Sequence, residues 1–409
     1  MGLVIHDLTQ EQWENVSGGY TGWTVVSDTG VFRPGENLSD LSSETGITAD
    51  TGTIRPCIGC FCCWDKTPGQ CIVPDGYDNI GALIHHAEEV VVISRYTWGG
   101  FSGFVKNVFD RCLGYVLPQF EMTGGESHHQ KRYDEDKAFT FIFYGRTLTD
   151  TEKESAERYV RAVCTNIRGH VKEVVFREDI AIDGRPEEIV SDGIPHKTAS
   201  GRTVLLNGSM RNVNGNSAKF ARCLAGRLDR KPEFIDLKDH LADLSGLVRG
   251  LEDAGTIVLC LPLYVDGLPS QVIRLFERLR DEYSGGPKNI YLLANMGLYE
   301  SSQLVNLFES VRQWCGDMGF EYRGGLGISA GELLGVLMDH LPLNVGPTRN
   351  VGRGMRLLAD AINKDARLDD FFAEPHLFPR SLYISIANNN WNSLARKNGI
   401  RPEDLYRKL

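Results

Sequence analysis

Residues 254–279 read AGTIVLCLPLYVDGLPSQVIRLFERL, and residues 87–112 read AEEVVVISRYTWGGFSGFVKNVFDRC, so the two stretches lie 167 positions apart. In each, a short apolar run enters a glycine-containing loop, and a helical pattern follows. A run rich in Val, Ile and Leu without polar alternation is typical of a strand buried on both faces of a parallel sheet. The spacing is too long for a solenoid unit, so the repeat predicts a duplicated domain.

The rest of the chain alternates apolar runs with helical periodicities in both halves. This alternation predicts an α/β protein with two tandem doubly wound parallel sheets of strand order 2-1-3-4-5, followed by a helical C-terminal tail. The predicted boundaries are a first domain over 1–176, a linker over 177–201, a second domain over 202–345 and a helical extension over 346–409. The basic end of that extension is predicted to serve packing or dimerisation.

The composition narrows the class of protein. The chain has 409 residues and a formal net charge of −10, so it lacks the basic excess typical of nucleic-acid binding. No run approaches the roughly 18 consecutive apolar residues that a membrane span needs, and no secretory signal is visible at the start. Five of the ten cysteines fall between positions 57 and 71, which favours a metal or redox role in a reducing compartment over a disulfide framework. We therefore expect a cytoplasmic protein.

One polar loop has the features of a phosphate-binding turn. Residues 207–217 read NGSMRNVNGNS, after an apolar run and before a helical pattern. Ser209, Asn216 and Ser217 supply hydroxyl and amide groups, Arg211 supplies positive charge, and backbone N–H groups at a helix start can hold an anion. The loop lacks the Lys-Ser/Thr ending of a nucleotidase P-loop, so a phosphomonoester fits it better. An ordinary polar connection is the alternative.

Two further loops meet this turn in the predicted topology. They read LPLYVDGLPS over 261–270 and NMGLYE over 295–300. In a 2-1-3-4-5 sheet, ligands bind at the carboxyl ends of the strands where the strand order reverses. A loop containing aromatic residues beside a phosphate site is suited to a flat ring that carries a phosphorylated tail.

Together the three loops resemble those of the NADPH-dependent FMN reductases, in the flavodoxin-like superfamily. The resemblance implies that the phosphate of FMN is bound by Ser209, Arg211, Asn216 and Ser217. It implies that the isoalloxazine ring is lined by Pro262, Leu263, Tyr264, Val265, Asn295, Met296 and Gly297. It also implies NAD(P)H as a transient electron donor and a small or aromatic acceptor, such as a quinone, nitro, azo or flavin-like compound.

The cysteine-rich stretch 56–71 reads PCIGCFCCWDKTPGQC. Its C-x2-C-x2-C-x7-C spacing allows Cys57, Cys60, Cys63 and Cys71 to hold a [4Fe–4S] cluster, and four thiolates also suit tetrahedral zinc. Free or redox-active thiols are the third alternative. The string resembles the iron–sulfur flavoprotein branch of the same family, and it also resembles flavin reductases with a similar loop.

The first half departs from the family pattern, because no Gly-Ser-x-Arg turn precedes the cysteines. We therefore expect the first domain to have lost FMN binding and to offer Tyr96, Trp98 and Tyr144 as a substrate-pocket wall over the flavin of the second domain. The pairs His85-His86 and His128-His129 are expected to be solvated. Besides the reductase, two alternatives stay open: an electron-carrying iron–sulfur flavoprotein, and a flavin-dependent enzyme that modifies an aromatic or peptide-borne group. The expected partners are a substrate molecule, a second copy of the chain or a redox protein.

Overall fold

The computed structural model describes residues 2–32, 54–180, 201–211 and 215–409. This part of the chain divides into two compact units. The first unit is formed by the described residues up to Glu121, from His128 to Ile180 and from Asn388 to Leu409, and the second by Met122–Ser127 and the described residues from 201 to Ala387. Most of the predicted linker lies outside the described residues.

The first unit contains a doubly wound sheet. Within the described ranges its strands are β1 (Leu3–His6), β2 (Thr24–Ser27), β3 (Gly30–Phe32), β4 (Val90–Arg95), β7 (Ala138–Tyr144) and β8 (His170–Arg177). They are arranged in the order β3-β2-β1-β4-β7-β8. All neighbours are parallel except β2 and β3, which pair antiparallel. The five parallel strands confirm the predicted order 2-1-3-4-5, and β3 extends the sheet at its edge.

The second unit contains a sheet of the same order. Its strands in the described ranges are β9 (Arg202–Asn207), β10 (Glu233–Asp236), β11 (Ala254–Pro262), β12 (Asn289–Asn295), β13 (Glu321–Ile328) and β14 (Phe371–Ala373). They are arranged as β10-β9-β11-β12-β13-β14, and every neighbouring pair is parallel. The short strand β14 comes from the C-terminal extension. The rest of the regular structure in the predicted helical extension, 346–409, is helical.

Helices connect the strands of both sheets, and one further helix follows the last strand, β14. In chain order they are α1 (Gln10–Val16), α2 (Cys62–Asp65), α3 (Ile80–His86), α4 (Gly103–Arg111), α5 (Asp150–Asn166), α6 (Asn216–Ala225), α7 (Leu244–Gly250), α8 (Ser270–Glu282), α9 (Val305–Met318), α10 (Gly331–Leu337), α11 (Arg349–Asn363) and α12 (Arg380–Lys397). Local signals fix several ends: Thr149 and Glu152 form a capping box at the start of α5, and Gly319 ends α9 with φ 64°. None of the helices in the described ranges combines the length and apolar character needed to cross a membrane.

The duplicated stretch folds in the same way in both units. Residues 97–100 and 264–267 each close a tight turn through one antiparallel bridge between their outer residues. Trp98 has φ 45° and Val265 has φ 36°, so each turn begins in the left-handed region although neither residue is glycine. A helix follows each turn, α4 in the first unit and α8 in the second. The strand–turn–helix repeat predicted from sequence is confirmed.

After α4 the chain forms a β-hairpin, which the sequence pattern does not clearly predict. Strands β5 (Val116–Thr123) and β6 (Glu126–Lys131) are joined by Gly124 and Gly125, whose φ values of 60° and 91° suit a two-residue hairpin turn. The expectation that His128 and His129 are solvated is wrong. Both belong to β6, His128 is 3% exposed, and the His129 ring packs against Trp64 and Phe120. Burial lowers the pKa of His129 to about 4.

The core of the second unit fills the space between its sheet and the surrounding helices. Every residue of β12 is buried, as a strand covered on both faces requires. From the C-terminal extension, Val351 and Met355 of α11 join the buried cluster that contains Val258 and Leu326 of the sheet. The first part of the extension therefore belongs to the core of this unit.

Candidate functional site

The carboxyl ends of β9, β11 and β12 lie together at one edge of the second sheet, because these strands are parallel neighbours. Asn295, the last residue of β12, is only 6% exposed. Its Nδ2 donates to the Ser217 hydroxyl over 2.7 Å and to the Leu261 carbonyl over 3.3 Å. One buried amide therefore ties the first turn of α6 to the ends of β11 and β12.

The loop after β9 approaches β11 closely. A Cβ at Gly208 would lie 2.6 Å from Leu261 Cδ2, so a larger residue would push the loop away. The Asn207 side-chain oxygen accepts the Ser209 N–H over 3.2 Å, and the Ser209 hydroxyl accepts the Arg211 N–H over 3.3 Å. Side chains of the loop thus hold its backbone in shape. Residues 212–214 of the predicted turn lie outside the described part of the chain.

Positive potential converges on this loop from a side chain and a helix. Arg211 pairs with Glu332 over 3.0 Å, and both side chains are substantially exposed. Helix α6 begins at Asn216, and its N-cap Gly215 makes no side-chain capping bond. The first N–H groups of a helix carry partial positive charge and lack partners inside the helix. An anion at this helix start would satisfy them.

The loop after β11 contains the second tight turn. Tyr264 and Gly267 exchange backbone hydrogen bonds of 3.1 and 3.0 Å. The Leu263 N–H donates to the Asn295 carbonyl over 2.8 Å, which links this loop to the next. Pro262 is buried, whereas Leu263, Tyr264 and Val265 are partly exposed. The turn therefore presents three apolar or aromatic side chains at the sheet edge.

The loop after β12 leaves an open face. The Met296 N–H donates to the Ile328 carbonyl over 3.0 Å, and Met296 is 4% exposed. A Cβ built on Gly297 would meet no atom within 4 Å. The predicted cofactor residues all belong to the three loops or the ends of the elements they join: Ser209, Arg211, Asn216, Ser217, Pro262, Leu263, Tyr264, Val265, Asn295, Met296 and Gly297. Their role in binding stays a prediction.

Several residues that hold this third loop were missed by the sequence reasoning. Glu300 is 5% exposed, and its carboxylate accepts the N–H and hydroxyl of Ser127 over 2.8 and 2.6 Å. Arg380 of α12 pairs with the same carboxylate over 2.7 Å. The Tyr383 hydroxyl, also from α12, donates to the Gly297 carbonyl. These partners come from the hairpin tip and the C-terminal extension, so no local sequence pattern announces them.

The corresponding edge of the first sheet has a different chemistry. After β1, Asp7 stands where the second unit has its glycine-serine loop. The Arg95 N–H approaches both oxygens of the Asp7 carboxylate, at 3.1 and 3.2 Å, and the Tyr144 hydroxyl donates to the Asp7 carbonyl over 3.3 Å. Burial raises the pKa of Asp7 against the opposing charge of Arg95 and a hydrogen bond from Ser102. A carboxyl group therefore lies at this edge.

The residues predicted to form a substrate-pocket wall lie close to this edge. Trp98 is 6% exposed in its turn, and Tyr144 is 5% exposed at the end of β7. Tyr96 is partly exposed, and its ring meets Phe143 edge-on with centroids 6.2 Å apart. All four residues belong to the first unit. Their role toward a substrate stays a prediction.

The clustered cysteines come together in the first unit. Burial raises the pKa of Cys57 to about 12 and that of Cys63 well above its usual range. Charge on Cys57, Cys60 or Cys71 would raise the pKa of Cys63 further, so the four thiols are near enough to interact. No group of three or more His, Cys, Asp or Glu side chains among the described residues is arranged to hold a single metal ion.

Two arginines place positive charge beside these cysteines. Arg111 lies with its Nε 3.0 Å from Cys71 Sγ, while its guanidinium pairs with Asp75 over 2.7 Å. Arg132 is 3% exposed and donates to backbone carbonyls, including those of Leu405 and Arg407, over 2.6 and 2.7 Å. Within the described ranges Arg132 forms no ion pair with a carboxylate, and burial lowers its pKa to about 10. The cysteine group is therefore adjacent to a buried cation that has no acidic partner in the part of the chain that the structure describes.

The strand order places each sheet in the flavodoxin-like class of folds. No protein-family model matches the sequence, and no curated protein matches it either. An apo NADH:FMN oxidoreductase is similar in structure, with 16% identity over 45% of this chain and 99% of that chain and a TM-score of 0.33. An azoreductase from Bacillus anthracis str. Sterne shares 13% identity over 40% of this chain and 99% of its own, with a TM-score of 0.30. The Trp repressor binding protein from Bacillus subtilis shares 17% identity over 31% of this chain and 84% of its own, with a TM-score of 0.26. Function must therefore be inferred from the residues of this chain.

Proposed function

We propose that the chain is an FMN-dependent NAD(P)H oxidoreductase whose flavin binds at the carboxyl edge of the second sheet. The observation that carries this proposal is the buried hydrogen bond from Asn295 to Ser217. It holds the helix start suited to a phosphate beside the loops suited to a ring. Solved structures with a partial likeness include one described as an FMN-dependent NADH-azoreductase in complex with FMN.

The phosphate end of FMN would be bound by the loop after β9. The start of α6 offers backbone N–H groups, and the hydroxyls of Ser209 and Ser217 add donors that are both 3% exposed. Arg211 can exchange Glu332 for the phosphate, because an ion pair between exposed groups contributes only about 0–1 kcal/mol. The acidic net charge of the chain does not prevent this local binding.

The ring end of FMN would lie against the loops after β11 and β12. The partly exposed Leu263, Tyr264 and Val265 offer apolar and aromatic surface, and Gly297 leaves the space a flat ring requires. When bound, FMN accepts a hydride from a reduced nicotinamide and passes two electrons to an acceptor. The residues of the chain bind and orient the ring and exclude water from it. The proposed acceptors are small or aromatic compounds of the quinone, nitro, azo or flavin type.

We propose that only the second unit binds FMN. The carboxyl group of Asp7 occupies the strand end where the second unit offers Ser209 and Arg211. The Asp7 carboxylate also accepts the neighbouring Arg95 N–H, which is then not available to a phosphate. A carboxylate at that position repels a phosphate, and a protonated carboxyl supplies no positive charge to replace an arginine. The first domain would then serve another part of the reaction.

An iron–sulfur electron carrier is the second candidate function, and the two arginines beside the cysteines favour it. Cys57, Cys60, Cys63 and Cys71 would hold a [4Fe–4S] cluster, which needs four thiolates spread over a cubane larger than one ion. Such a centre is anionic. Arg111 beside Cys71, and Arg132, which forms no ion pair with a carboxylate of the described residues, would balance its charge. Anaerobic purification followed by iron and acid-labile sulfide analysis and EPR distinguishes this cluster from zinc or free thiols.

A glycine substitution tests the FMN site. Gly297→Ala adds a methyl group where no atom of the protein lies within 4 Å, so the variant should unfold at the same temperature as the parent chain. It should bind FMN at least tenfold more weakly in a fluorescence titration, because the methyl group occupies the space assigned to the ring. Gly286→Ala is the matched control, since its Cβ also meets nothing within 4 Å and it lies away from the three loops. Equal FMN affinity in both variants would contradict the proposed site.

A further inference from the structure

The short loop from Met296 to Leu298 has all its carbonyl groups occupied. Each of the three carbonyls accepts one hydrogen bond. The donors are Gly331 N–H to Met296 over 2.7 Å, the Tyr383 hydroxyl to Gly297, and Ala330 N–H to Leu298 over 2.7 Å. Two of these donors are the backbone N–H groups of Ala330 and Gly331 at the start of α10, and the third is a side chain of the C-terminal extension. Only the third is a side-chain group, so it can be removed by a substitution that leaves the backbone donors in place.

Tyr383 is built to remain a donor. It is 3% exposed, and its ring packs 5.6 Å from the ring of Tyr299. Burial raises the pKa of Tyr383, and the charges of Glu332 and Glu300 raise it further. Its hydroxyl therefore stays protonated at any physiological pH. A permanently protonated phenol is a reliable donor to the Gly297 carbonyl.

The orientation of one peptide group follows from this hydrogen bond. A trans peptide is planar, and its C=O and N–H point in opposite directions. Because Tyr383 holds the Gly297 carbonyl, the N–H of Leu298 in the same peptide points away from α12. That N–H makes no hydrogen bond to any residue in the described ranges. The adjoining Gly297 leaves open space. A donor without a partner thus lies next to unfilled volume in the proposed ring site.

We propose that Tyr383 is a positioning residue for the flavin, and this inference rests on the proposed function. Its hydroxyl orients the Gly297–Leu298 peptide so that the Leu298 N–H donates to an acceptor atom of the bound isoalloxazine. The C-terminal extension, which carries no recognisable motif, thereby contributes to cofactor binding. Arg380, one helical turn earlier, supports the same loop through Glu300.

Tyr383→Phe in the full chain tests this role, because it removes the hydroxyl and keeps the ring. We expect FMN binding to weaken about five- to tenfold, the effect of losing one well-placed hydrogen bond. We also expect the midpoint potential of the bound flavin to become more negative, because an N–H donor stabilises the added electron density. Thermal unfolding without FMN reports on folding. Tyr406→Phe, at an exposed tyrosine of the first unit, controls for the loss of a phenol.

A second variant separates orientation of the peptide from general loosening of the loop. Ser127→Ala removes a hydroxyl that accepts the Tyr299 N–H over 3.0 Å. Tyr299 follows Gly297 by two residues in the same loop. We expect it to leave the flavin potential unchanged. Equal potential shifts in both variants, or parent-like affinity and potential in Tyr383→Phe, would overturn the inference alone. Failure of the parent chain to take up FMN would overturn the proposed function and this inference with it.

Discussion

Replacing Arg211 by glutamine should weaken the binding of FMN and leave the binding of riboflavin unchanged. The two ligands share the isoalloxazine ring and the ribityl chain, and they differ in the terminal phosphate. If the loop after β9 binds that phosphate, the positive charge of Arg211 acts on FMN alone. The comparison therefore isolates the phosphate from every other contact of the ligand.

The structure sets the size of the effect. A hydrogen bond to a charged group contributes about 1.5–3 kcal/mol. Before it can form, Arg211 must leave Glu332, a partly exposed pair 3.0 Å apart that contributes about 0–1 kcal/mol. The net loss in Arg211→Gln should be about 1–2 kcal/mol, which corresponds to a 5- to 30-fold increase in the Kd for FMN. Because Arg211 is partly exposed, the loss should shrink as salt is added.

Titration of each ligand by quenching of flavin fluorescence measures this difference. Glu332→Gln provides the converse variant, because it removes the carboxylate that competes for Arg211 and should tighten FMN binding a few-fold. An equal loss of affinity for FMN and riboflavin in Arg211→Gln would refute the assignment of this loop to the phosphate. Unchanged affinity for both ligands in this variant would refute it as well.

Three further predictions concern stability. Burial raises the pKa of Asp7, so the ionised carboxylate is disfavoured in the folded state. The parent chain should therefore lose stability relative to Asp7→Asn as the pH rises above about 4. Chemical denaturation at several pH values measures this, and a stability difference that does not depend on pH would contradict it. Gly208→Ala should lower the free energy of unfolding by about 1–3 kcal/mol, because its Cβ would overlap branched side chains, whereas Gly286→Ala should have little effect in the same urea titration. Arg111→Met leaves the carboxylate of Asp75 buried and unpaired, so it should cost about 3–5 kcal/mol, and much of that loss should be recovered in the double variant Arg111→Met/Asp75→Leu.

Much of the fold could be predicted from the sequence, because parallel sheets leave a strong pattern. Apolar strands, glycine-containing turns and amphipathic helices recur 167 positions apart, and both copies fold as expected. The N-terminal strands were missed because β1 and β2 are only four residues long. The hairpin was missed because β6 carries the polar sequence ESHHQK. Short or polar strands become visible only when their partners are known.

The candidate site was predictable where its residues follow strands in sequence. Ser209, Leu263 and Asn295 lie on loops whose meeting point is fixed by the strand order. Tyr383 and Glu300 could not be predicted in the same way. Each is joined to its partner across a long stretch of sequence, as Glu300 is to Ser127. Such contacts depend on how the C-terminal extension and the hairpin tip pack, and no periodicity or motif encodes that packing.

The stoichiometry of FMN tests the central claim most directly. The full chain should be saturated with FMN, separated from free flavin, and analysed for flavin absorbance and protein concentration. One FMN per chain, bound at least tenfold more weakly in Gly297→Ala and retained in Asp7→Asn, is the result expected when only the second sheet binds flavin. A colourless protein, or two FMN molecules per chain, would contradict the account.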